Sequence, residues 1–271
     1  MIMVTGATGQ LASATLAELN AQGATAIGGS RTPKDCGRHL DFDDPASLDL
    51  KDVSTLVLVS AGYAEDDQVI ARHAAVVDAA VRDGVGHIVY TSLTTAGDHL
   101  GFALAHRATE ITVMNSGLGW TILRNGLYAE LFGALLTWTP GGLVSAFGTG
   151  ALSAVARADL AAAAAVVATG PAAHSHKIYD LVGEPIAAAD VAERLDVTHH
   201  TISLGEYRDR LLASAGLLPF QPPMLVSIAT GIRHGFLDKT GSDLRKLLTR
   251  PLIDPLGVAA GSAAALRPAL V

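Results

Sequence analysis

The chain has 271 residues, of which 49% are hydrophobic and 17% charged, so it can bury about three quarters of its unfolded surface without a disulfide or metal. Its 19 basic and 26 acidic residues leave a net charge of −7. This balance excludes the clustered positive charge that sequence-independent nucleic-acid binding requires. Cys36 is the single cysteine, which excludes an internal disulfide framework.

The sequence shows no targeting or membrane segment. Its first residues, MIMVTGATGQ, have neither the basic region nor the long apolar region of a secretory signal. The most apolar stretch, Leu160–Gly170, is shorter than the roughly 20 residues that a membrane span requires. We therefore expect a cytoplasmic globular protein with no nucleic-acid or membrane partner, and the sequence leaves its oligomeric state open.

Short apolar segments alternate with longer helix-like segments over the first two thirds of the chain. Nearly continuous apolar runs such as TLVLVS and HIVYTS are typical of strands buried on both faces of a parallel sheet. The predicted strands are Met1–Thr5, Ala24–Gly28, His39–Phe42, Thr55–Ser60, His87–Thr91, Trp120–Arg124 and Lys177–Leu181. The predicted helices are Leu11–Ala21, Asp66–Asp83, Gly101–Ser116 and Arg157–Thr169. This alternation predicts an α/β fold, a doubly wound parallel sheet with helices on both faces.

The pattern changes after Leu181. Residues 182–195 and 204–218 are predicted as two short helices that flank a strand at His200–Ser203. We therefore expect a large α/β domain over residues 1–182 and a smaller substrate-binding lobe over residues 183–271, packed on the ligand edge of the sheet.

The first predicted strand runs into a glycine-containing turn, TGATGQLA, which opens a helix. Gly6 permits a tight turn, Gly9 lets the backbone approach a pyrophosphate, and Ala12 permits close packing of helix on strand. Free N–H groups at the helix N-terminus favour the phosphate charge. The turn therefore predicts a Rossmann dinucleotide site in residues 1–182. The cofactor-binding residues expected here are Gly6, Thr8, Gly9, Gln10 and Leu11.

The end of the second strand distinguishes between dinucleotides. The segment GSRTPK, from Gly29, lacks the acidic residue that binds the ribose 2′-hydroxyl of NAD. Arg31 and Lys34 instead offer positive charge to a 2′-phosphate, although two solvated loop charges are the alternative interpretation. We expect NADP(H), with NAD(H) as an alternative. The residues expected to border the adenine end the third and fourth strands: Asp41, Phe42, Ser60, Ala61 and Gly62.

Further segments resemble those of a known family. They are HIVYTSL from His87, LGFALAHRATE from Leu100, TILRNGLYAE from Thr121, AVARAD from Ala154, KIYDL from Lys177 and GFLD from Gly235. Together they resemble the NmrA-like family of atypical short-chain dehydrogenases/reductases, and within it the bacterial NAD(P)H:quinone oxidoreductases. The resemblance covers nearly the whole chain and implies a Rossmann domain that holds substrate against a smaller lobe. It also implies cofactor contacts near the nicotinamide from Thr91, Asn125, Gly126, Leu127, Tyr128 and Glu130.

The chain departs from the family pattern in two places. The segment TPKDCGRHL between the second and third strands is short, so we expect a shortened or absent helix there. Ile111 follows Glu110 directly, where similar family reductases carry a lysine. No Tyr-x-x-x-Lys occurs in the sequence either. We infer that a lysine-tuned proton donor is missing.

A missing proton donor argues against the reduction of an ordinary ketone, because the alkoxide that forms needs a positioned acid. A quinone gives a much less basic anion, so that orientation of the reactants contributes most of the rate. We expect His106, Tyr128 and Ser92 to be catalytic by hydrogen bonding to the acceptor oxygens, together with Thr91. His106 is the expected proton donor because histidine titrates near neutrality.

Three broader functions follow as hypotheses. The first is an NAD(P)H-dependent reductase of a quinone, in particular a polycyclic aromatic one. The second adds oxygen, since some NmrA-like members take part in hydroxylation (monooxygenase) steps of aromatic-polyketide pathways, where a partner enzyme directs the oxygen. The third is a redox sensor that binds dinucleotide without turnover. We expect no metal site, because no carboxylate or cysteine completes the pairs His174/His176 and His199/His200.

Overall fold

The computed structural model describes residues 1–33, 37–60 and 64–268, which contain twelve strands and ten α-helices. The strands are β1 (Ile2–Thr5), β2 (Ala26–Ser30), β3 (Arg38–His39), β4 (Thr55–Val59), β5 (His87–Leu93), β6 (Gly119–Asn125), β7 (Thr137–Thr139), β8 (Gly142–Ser145), β9 (Ala151–Ala154), β10 (Lys177–Leu181), β11 (Glu184–Ala187) and β12 (His199–Thr201). The helices are α1 (Gln10–Ala21), α2 (Asp66–Arg82), α3 (Ala103–Met114), α4 (Ala129–Ala134), α5 (Arg157–Thr169), α6 (Ala188–Arg194), α7 (Leu204–Ala213), α8 (Gln221–Arg233), α9 (Asp243–Leu247) and α10 (Pro255–Ala265).

The central sheet has seven parallel strands in the order β3-β2-β1-β4-β5-β6-β10. The chain leaves β1 in one direction to build β2 and β3, and returns to the other side to build β4, β5 and β6. The strand order therefore reverses between β1 and β4. In open α/β sheets, ligands bind outside the carboxyl ends of the strands at such a switch point. The fold confirms the predicted doubly wound arrangement, and its switch point makes the carboxyl edge the expected place for a ligand crevice.

Side chains of the central strands alternate between two helical layers. Val89 packs in the cluster that α1 and α5 cover, whereas the next residue, Tyr90, packs in the cluster under α2 and α3. The alanines of α5 are almost all buried, and their small size lets α1 pack closely beside them. Both faces of the sheet are thus sealed by helices, which leaves its edges as the places where ligands can reach it.

The third strand differs from its prediction. It covers Arg38–His39 rather than His39–Phe42, because after Leu40 donates to the Ser30 carbonyl at 2.9 Å the chain turns away from the sheet. The Asp41 carboxylate accepts the Asp43 N–H at 3.0 Å and stabilises that turn. The described residues between β2 and β3 form no helix, as their short length led us to expect.

The smaller lobe contains segments from both sides of α5. β9 pairs antiparallel with β11, and β8 lies between β7 and β12. α10 packs on α4 so closely that a Cβ on Gly133 would lie 2.1 Å from the Ala259 carbonyl oxygen. α9, in contrast, packs on β10 and α5. These contacts group residues 129–154 with the lobe and α9 with the sheet, and the division into two domains near residue 182 stays a prediction.

The two helices predicted for the lobe are shorter than expected. Residues 184–187 form β11, because they pair with β9, and only Ala188–Arg194 are helical. The second predicted helix ends at Ala213, before Gly216 takes a positive φ of 94°. No helix among the described residues combines the length and apolarity needed to cross a bilayer.

Candidate functional site

The turn after β1 has the shape that a pyrophosphate site requires. Gly6 takes a φ of +64°, a left-handed conformation that favours glycine, and the Gly9 N–H donates to its carbonyl at 2.7 Å. The turn crosses β2 closely, since the Ala7 N–H donates to the Gly29 carbonyl at 3.1 Å and a Cβ on Gly28 would lie 2.5 Å from the Ala7 Cβ. Glycine at position 28 therefore allows the turn to lie over the end of β2.

The N-terminus of α1 is open. Gly9 is its N-cap residue and supplies no side chain, so no side-chain oxygen accepts the N–H groups of the first turn. Thr8, Gly9 and Gln10 are exposed, whereas Leu11 is buried and offers only its backbone. These N–H groups and the helix dipole favour an anion at this position, which supports the predicted phosphate contacts.

Buried polar atoms without partners mark both ends of the carboxyl edge. Among the described residues, three buried side-chain atoms lack a hydrogen bond: Ser30 Oγ, Asn125 Oδ1 and Ser153 Oγ. Ser30 ends β2 and Asn125 ends β6, on opposite sides of the switch point. A buried polar atom without a partner costs about 1–3 kcal/mol, so these two positions fit a ligand that supplies the missing hydrogen bonds.

The β2 end of this edge carries the predicted 2′-phosphate residues. Arg31 is exposed directly after Ser30, and its positive charge contributes to the lowered pKa of the Asp43 carboxyl, after the larger effect of the hydrogen bond from Arg72. Sequence reasoning missed Ser30, although its place directly before Arg31 was a signal. The expected contacts from Lys34, Ala61 and Gly62 lie outside the described residues.

The described residues predicted to border the adenine lie in an ordered loop after β3 and directly after β4. Asp41 donates its N–H to Ser47 Oγ at 2.8 Å and uses its carboxylate within the turn. The Phe42 ring meets His73 edge-on, with 6.5 Å between centroids. Ser60, at the end of β4, donates its N–H to Thr91 Oγ1 at 3.3 Å, which joins the ends of β4 and β5.

At the β6 end, the predicted nicotinamide residues are held by backbone contacts. The Thr94 N–H donates to the Asn125 carbonyl at 2.8 Å, and the Gly126 N–H donates to the Leu181 carbonyl at 2.8 Å. Leu127 is buried, and its carbonyl accepts the Val155 N–H at 3.2 Å. The unpartnered Asn125 carboxamide oxygen is therefore the polar group that this segment offers.

Glu130 forms contacts within the protein. Its two carboxylate oxygens accept the Arg157 N–H at 3.2 and 3.3 Å and its side chain pairs with the Arg157 guanidinium at 3.5 Å. It therefore anchors the first turn of α5. The same guanidinium lies 4.7 Å from the centre of the Tyr128 ring, and burial raises the pKa of the Tyr128 hydroxyl. Glu130 positions Tyr128 and the start of α5, and its expected contact with the cofactor stays a prediction.

Ser92 is also committed inside the protein. Its hydroxyl donates to the Glu110 carboxylate at 2.5 Å, which is 2% exposed and also binds Arg107 at 2.7 Å and Arg124 at 2.6 Å. Burial acts to raise the pKa of Glu110, but the hydrogen bonds from Arg124 and Ser92 and the charge of Arg107 hold it below its usual range. Ser92 therefore uses its hydroxyl hydrogen in a bond to a buried carboxylate, and its expected catalytic contact with the acceptor stays a prediction.

The half-buried His106 ring lies beside the buried rings of Tyr90 and His73. Its Nδ1 lies 3.0 Å from the Tyr90 hydroxyl, and Tyr90 in turn packs edge-on against His73 with 5.7 Å between centroids. Burial lowers the pKa of His106 to about 4 and that of His73 to about 3, while it raises the pKa of Tyr90. His106 is therefore neutral near pH 7, which corrects the expectation that it titrates there.

Ile111 lies on the outer face of α3. Its side chain is 57% exposed, whereas the preceding residue, Glu110, is 2% exposed. A lysine at position 111 would reach solvent rather than the crevice. The replacement of the family lysine by Ile111 therefore removes nothing from the site of this chain, and the lack of an acid rests on the pKa values of His106, Tyr90 and Tyr128.

The arrangement as a whole fits a dinucleotide with a 2′-phosphate. The open α1 N-terminus suits the pyrophosphate, Ser30 and Arg31 suit the adenosine phosphate end, and Asn125 suits the nicotinamide carboxamide. Within the residues that the structure describes, no three His, Cys, Asp or Glu side chains form a group that could hold a metal ion.

Comparison with known proteins points to the same class of site. No family model matches the chain. It is 33% identical over 274 residues to quinone oxidoreductase 2 of Escherichia coli, covering 93% of this chain and 94% of that protein. It is 38% identical over 111 residues to an NmrA-like family domain-containing oxidoreductase of Aspergillus flavus, which covers 38% of this chain and 36% of that protein.

Two solved structures share the fold closely. Triphenylmethane reductase of Citrobacter sp. complexed with NADP(H) superposes with a TM-score of 0.85 at 30% identity, covering 96% of this chain and 99% of that one. The E. coli NADPH-dependent quinone oxidoreductase complexed with NADPH gives 0.84 at 30% identity and the same coverage. With its sheet order, its phosphate turn and this likeness over nearly its full length, the chain belongs to the NmrA-like family of atypical short-chain dehydrogenases/reductases.

Proposed function

We propose that this protein is an NADPH-dependent oxidoreductase that reduces a quinone. The observation that carries the proposal is the lack of a usable acid beside the cofactor cradle in the described residues. Burial lowers the pKa of His106 to about 4, and it raises the pKa of the Tyr90 and Tyr128 hydroxyls. An imidazole that is already neutral and two weakly acidic phenols are poor proton donors near pH 7.

The acceptor must therefore stabilise its own negative charge. Reduction of a ketone would leave an alkoxide, whereas hydride addition to a quinone leaves a delocalised phenolate that water can protonate later. The overall reaction consumes one quinone, one NADPH and one proton, and gives one hydroquinone and NADP⁺. The Citrobacter relative is a triphenylmethane reductase. A triphenylmethane cation that takes up hydride needs no proton at all, so it fits the same absence of an acid.

The residues of the chain bind and orient the reactants. NADPH, when bound, supplies the hydride. The turn from Gly6 to Leu11 and the α1 N-terminus would hold its pyrophosphate, with Ser30 and Arg31 at the adenosine phosphate and Asn125 at the carboxamide. Neutral His106 would donate a hydrogen bond to an acceptor oxygen, and the Tyr128 ring, held under Arg157, would contact the reactants from the segment after β6. Orientation of this kind is worth roughly 7–11 kcal/mol in favourable cases.

The experiment compares three acceptors that differ in their need for a proton. With NADPH under anaerobic conditions, we expect turnover of a quinone and of a triphenylmethane dye cation, and little or no turnover of a matched aromatic ketone. We also expect kcat for the quinone to show no loss between pH 6 and pH 8, because His106 has already lost its proton below that range. Ketone turnover as fast as quinone turnover, or a loss of kcat centred near pH 6.5, would contradict the proposal.

A finer form of the proposal concerns a polycyclic aromatic quinone, as in aromatic-polyketide tailoring. In air, its hydroquinone would react with O₂ to give a hydroxyquinone and water, alone or with a partner enzyme that directs the oxygen. Mass spectrometry after incubation with ¹⁸O₂ should then show one labelled oxygen atom in the product. An unlabelled product in air leaves the reductase without an oxygenation step. NADPH that binds but is oxidised by no member of a quinone panel would favour the redox sensor instead.

A further inference from the structure

Tyr90 occupies an unusual place for a hydroxyl group. The residue lies in the middle of β5, is fully buried, and directs its oxygen to within 3.0 Å of His106 Nδ1. His106 lies in the first half of α3, whose N-terminal end faces the carboxyl edge of the sheet because α3 runs back antiparallel to β5. Tyr90 thus connects the interior of the sheet to a half-buried side chain in the first half of α3.

The hydroxyl group of Thr109 restricts which atoms of the neighbouring rings can carry a proton. Thr109 Oγ1 donates to the Ala105 carbonyl at 2.8 Å. His73 Nδ1 lies 2.8 Å from the same Oγ1, so His73 must be the donor of that contact. Thr109 therefore acts as an acceptor toward the rings around it. The hydroxyls of Thr109 and Ser60 are also in hydrogen-bond contact with the Tyr90 oxygen. Beside them, His106 Nδ1 is a strong acceptor, which a neutral imidazole offers when its proton is on Nε2.

We propose that Tyr90 is a positioning residue that donates its hydroxyl hydrogen to His106 Nδ1 and so keeps the proton of the neutral imidazole on Nε2. This inference rests on the proposed function, because its purpose is to present an N–H donor to an oxygen of the quinone. Without the Tyr90 hydroxyl, the proton would exchange between both ring nitrogens, and the ring would offer a lone pair to the acceptor oxygen part of the time.

The surroundings of His106 agree with such a role. Its Nε2 has no hydrogen-bond partner among the described residues, and the side chain is half-buried rather than sealed. The Phe102 ring packs edge-on against the imidazole at 6.2 Å, on α3's N-terminal side. The ring is therefore held by Tyr90 and Phe102 while Nε2 stays available for a ligand.

The test substitutes Tyr90→Phe, which removes one oxygen from a buried site and keeps the ring. Long-range ¹H–¹⁵N NMR of the free protein should show His106 as the Nε2–H tautomer in wild type and as a mixture in the variant. For quinone reduction we expect kcat to fall about tenfold with an unchanged KM, as for the loss of one oriented hydrogen bond. Reduction of a triphenylmethane cation, which has no oxygen to bind, should change less than twofold.

A matched control lies in β10, the outermost strand on one side of the central sheet. Tyr179 and His174 form the same kind of pair, with 2.8 Å between the hydroxyl and Nδ1. Tyr179→Phe removes an equivalent hydrogen bond and should leave both reactions unchanged. His106→Gln keeps an N–H donor near the position of Nε2, so adding Tyr90→Phe to this variant should cost nothing further.

Several results would overturn the inference. One is an Nδ1–H tautomer of His106 in wild type, and another is a tautomer that Tyr90→Phe leaves unaltered. A third is an equal loss of rate for the quinone and the dye cation, which would indicate general loosening of the fold. Wild-type protein that reduces no quinone would instead refute the proposed function, while the tautomer measurement on the free protein would still report on the Tyr90–His106 contact.

Discussion

The two edges of the central sheet treat their polar groups in opposite ways. At the amino edge, the Met1 ammonium donates to Ser54 Oγ at 3.0 Å, and Ser54 Oγ donates back to the Met1 carbonyl at 3.1 Å. Thr121 Oγ1 lies 2.9 Å from His87 Nε2 and donates to the His174 carbonyl at 2.8 Å. These polar side chains at the amino edge therefore form hydrogen bonds with other groups of the protein.

At the carboxyl edge, polar groups remain open. Ser30 Oγ and Asn125 Oδ1 are buried without partners, and the N–H groups that begin α1 have no side-chain cap. Each of the two buried atoms without a partner reduces the stability of the free protein by about 1–3 kcal/mol. The difference teaches that Ser30, Asn125 and the start of α1 keep hydrogen-bonding capacity where a dinucleotide would use it, although Ser92 and Glu110 at the same edge bond within the protein.

The largest effect is expected from a substitution that caps the N-terminus of α1, at the carboxyl edge, with a side chain of the protein itself. Gly9 is the N-cap of α1 with φ −80° and ψ 157°, a conformation that suits aspartate. Gly9→Asp should cap the helix with its own carboxylate and repel the pyrophosphate, so that NADPH binding weakens by more than about 100-fold. Calorimetry measures the Kd, and Gly261→Asp, where a Cβ meets nothing within 4 Å, is the control. Unchanged affinity would remove the phosphate turn from the site.

A second test is to remove charge from the open edge. Arg31→Ala should weaken NADPH by about 10- to 150-fold, the equivalent of about 1.5–3 kcal/mol for one hydrogen bond to a charged group. NADH, which lacks the 2′-phosphate, should lose much less. Fluorescence titration of both dinucleotides gives the two ratios. Equal weakening of both would show that Arg31 does not recognise the phosphate.

Removing one side-chain hydroxyl group at each edge sharpens the comparison. Thr121→Val leaves the His87 imidazole and the His174 carbonyl without a partner, so the free energy of unfolding should fall by about 1–3 kcal/mol while kcat/KM stays the same. Ser30→Ala removes a group that has no partner, so stability should hold or rise while NADPH binds about 2- to 10-fold more weakly. Urea unfolding and dinucleotide titration of both variants separate the two effects. The same response in both would contradict the distinction between the edges.

The smallest effect is expected from a charge that is placed on the exposed face of α3, away from both edges of the sheet. Ile111→Lys restores the family residue on the exposed face of α3. Quinone reduction should stay within about twofold, and the melting temperature should change little, because surface substitutions are usually worth less than about 0.5 kcal/mol. A gain of ketone reduction in this variant would mean that position 111 reaches the crevice after all.

Elements with a strong local pattern were predicted well. Arg157–Thr169 and Lys177–Leu181 have the bounds that their composition indicated. The exact bounds of the third strand and the strands within residues 129–154 were not predicted, because these strands are short and because β8 and β9 pair with strands that follow α5. α8 begins at Gln221 with two prolines in its first turn, a start signal that sequence reasoning left unused.

The sequence by itself determined the phosphate turn. A strand, two glycines and the first turn of a helix are consecutive in the chain, so their backbone conformations follow from residues that are already neighbours. Only the tertiary structure decided the roles of Ser92, Glu130 and Ile111, and the contact between Tyr90 and His106. Successive residues of a helix point about 100° apart, so Glu110 is buried and Ile111 exposed although they are adjacent. Which of the two meets the site depends on how α3 is rotated against the sheet, and the packing of the whole core sets that rotation.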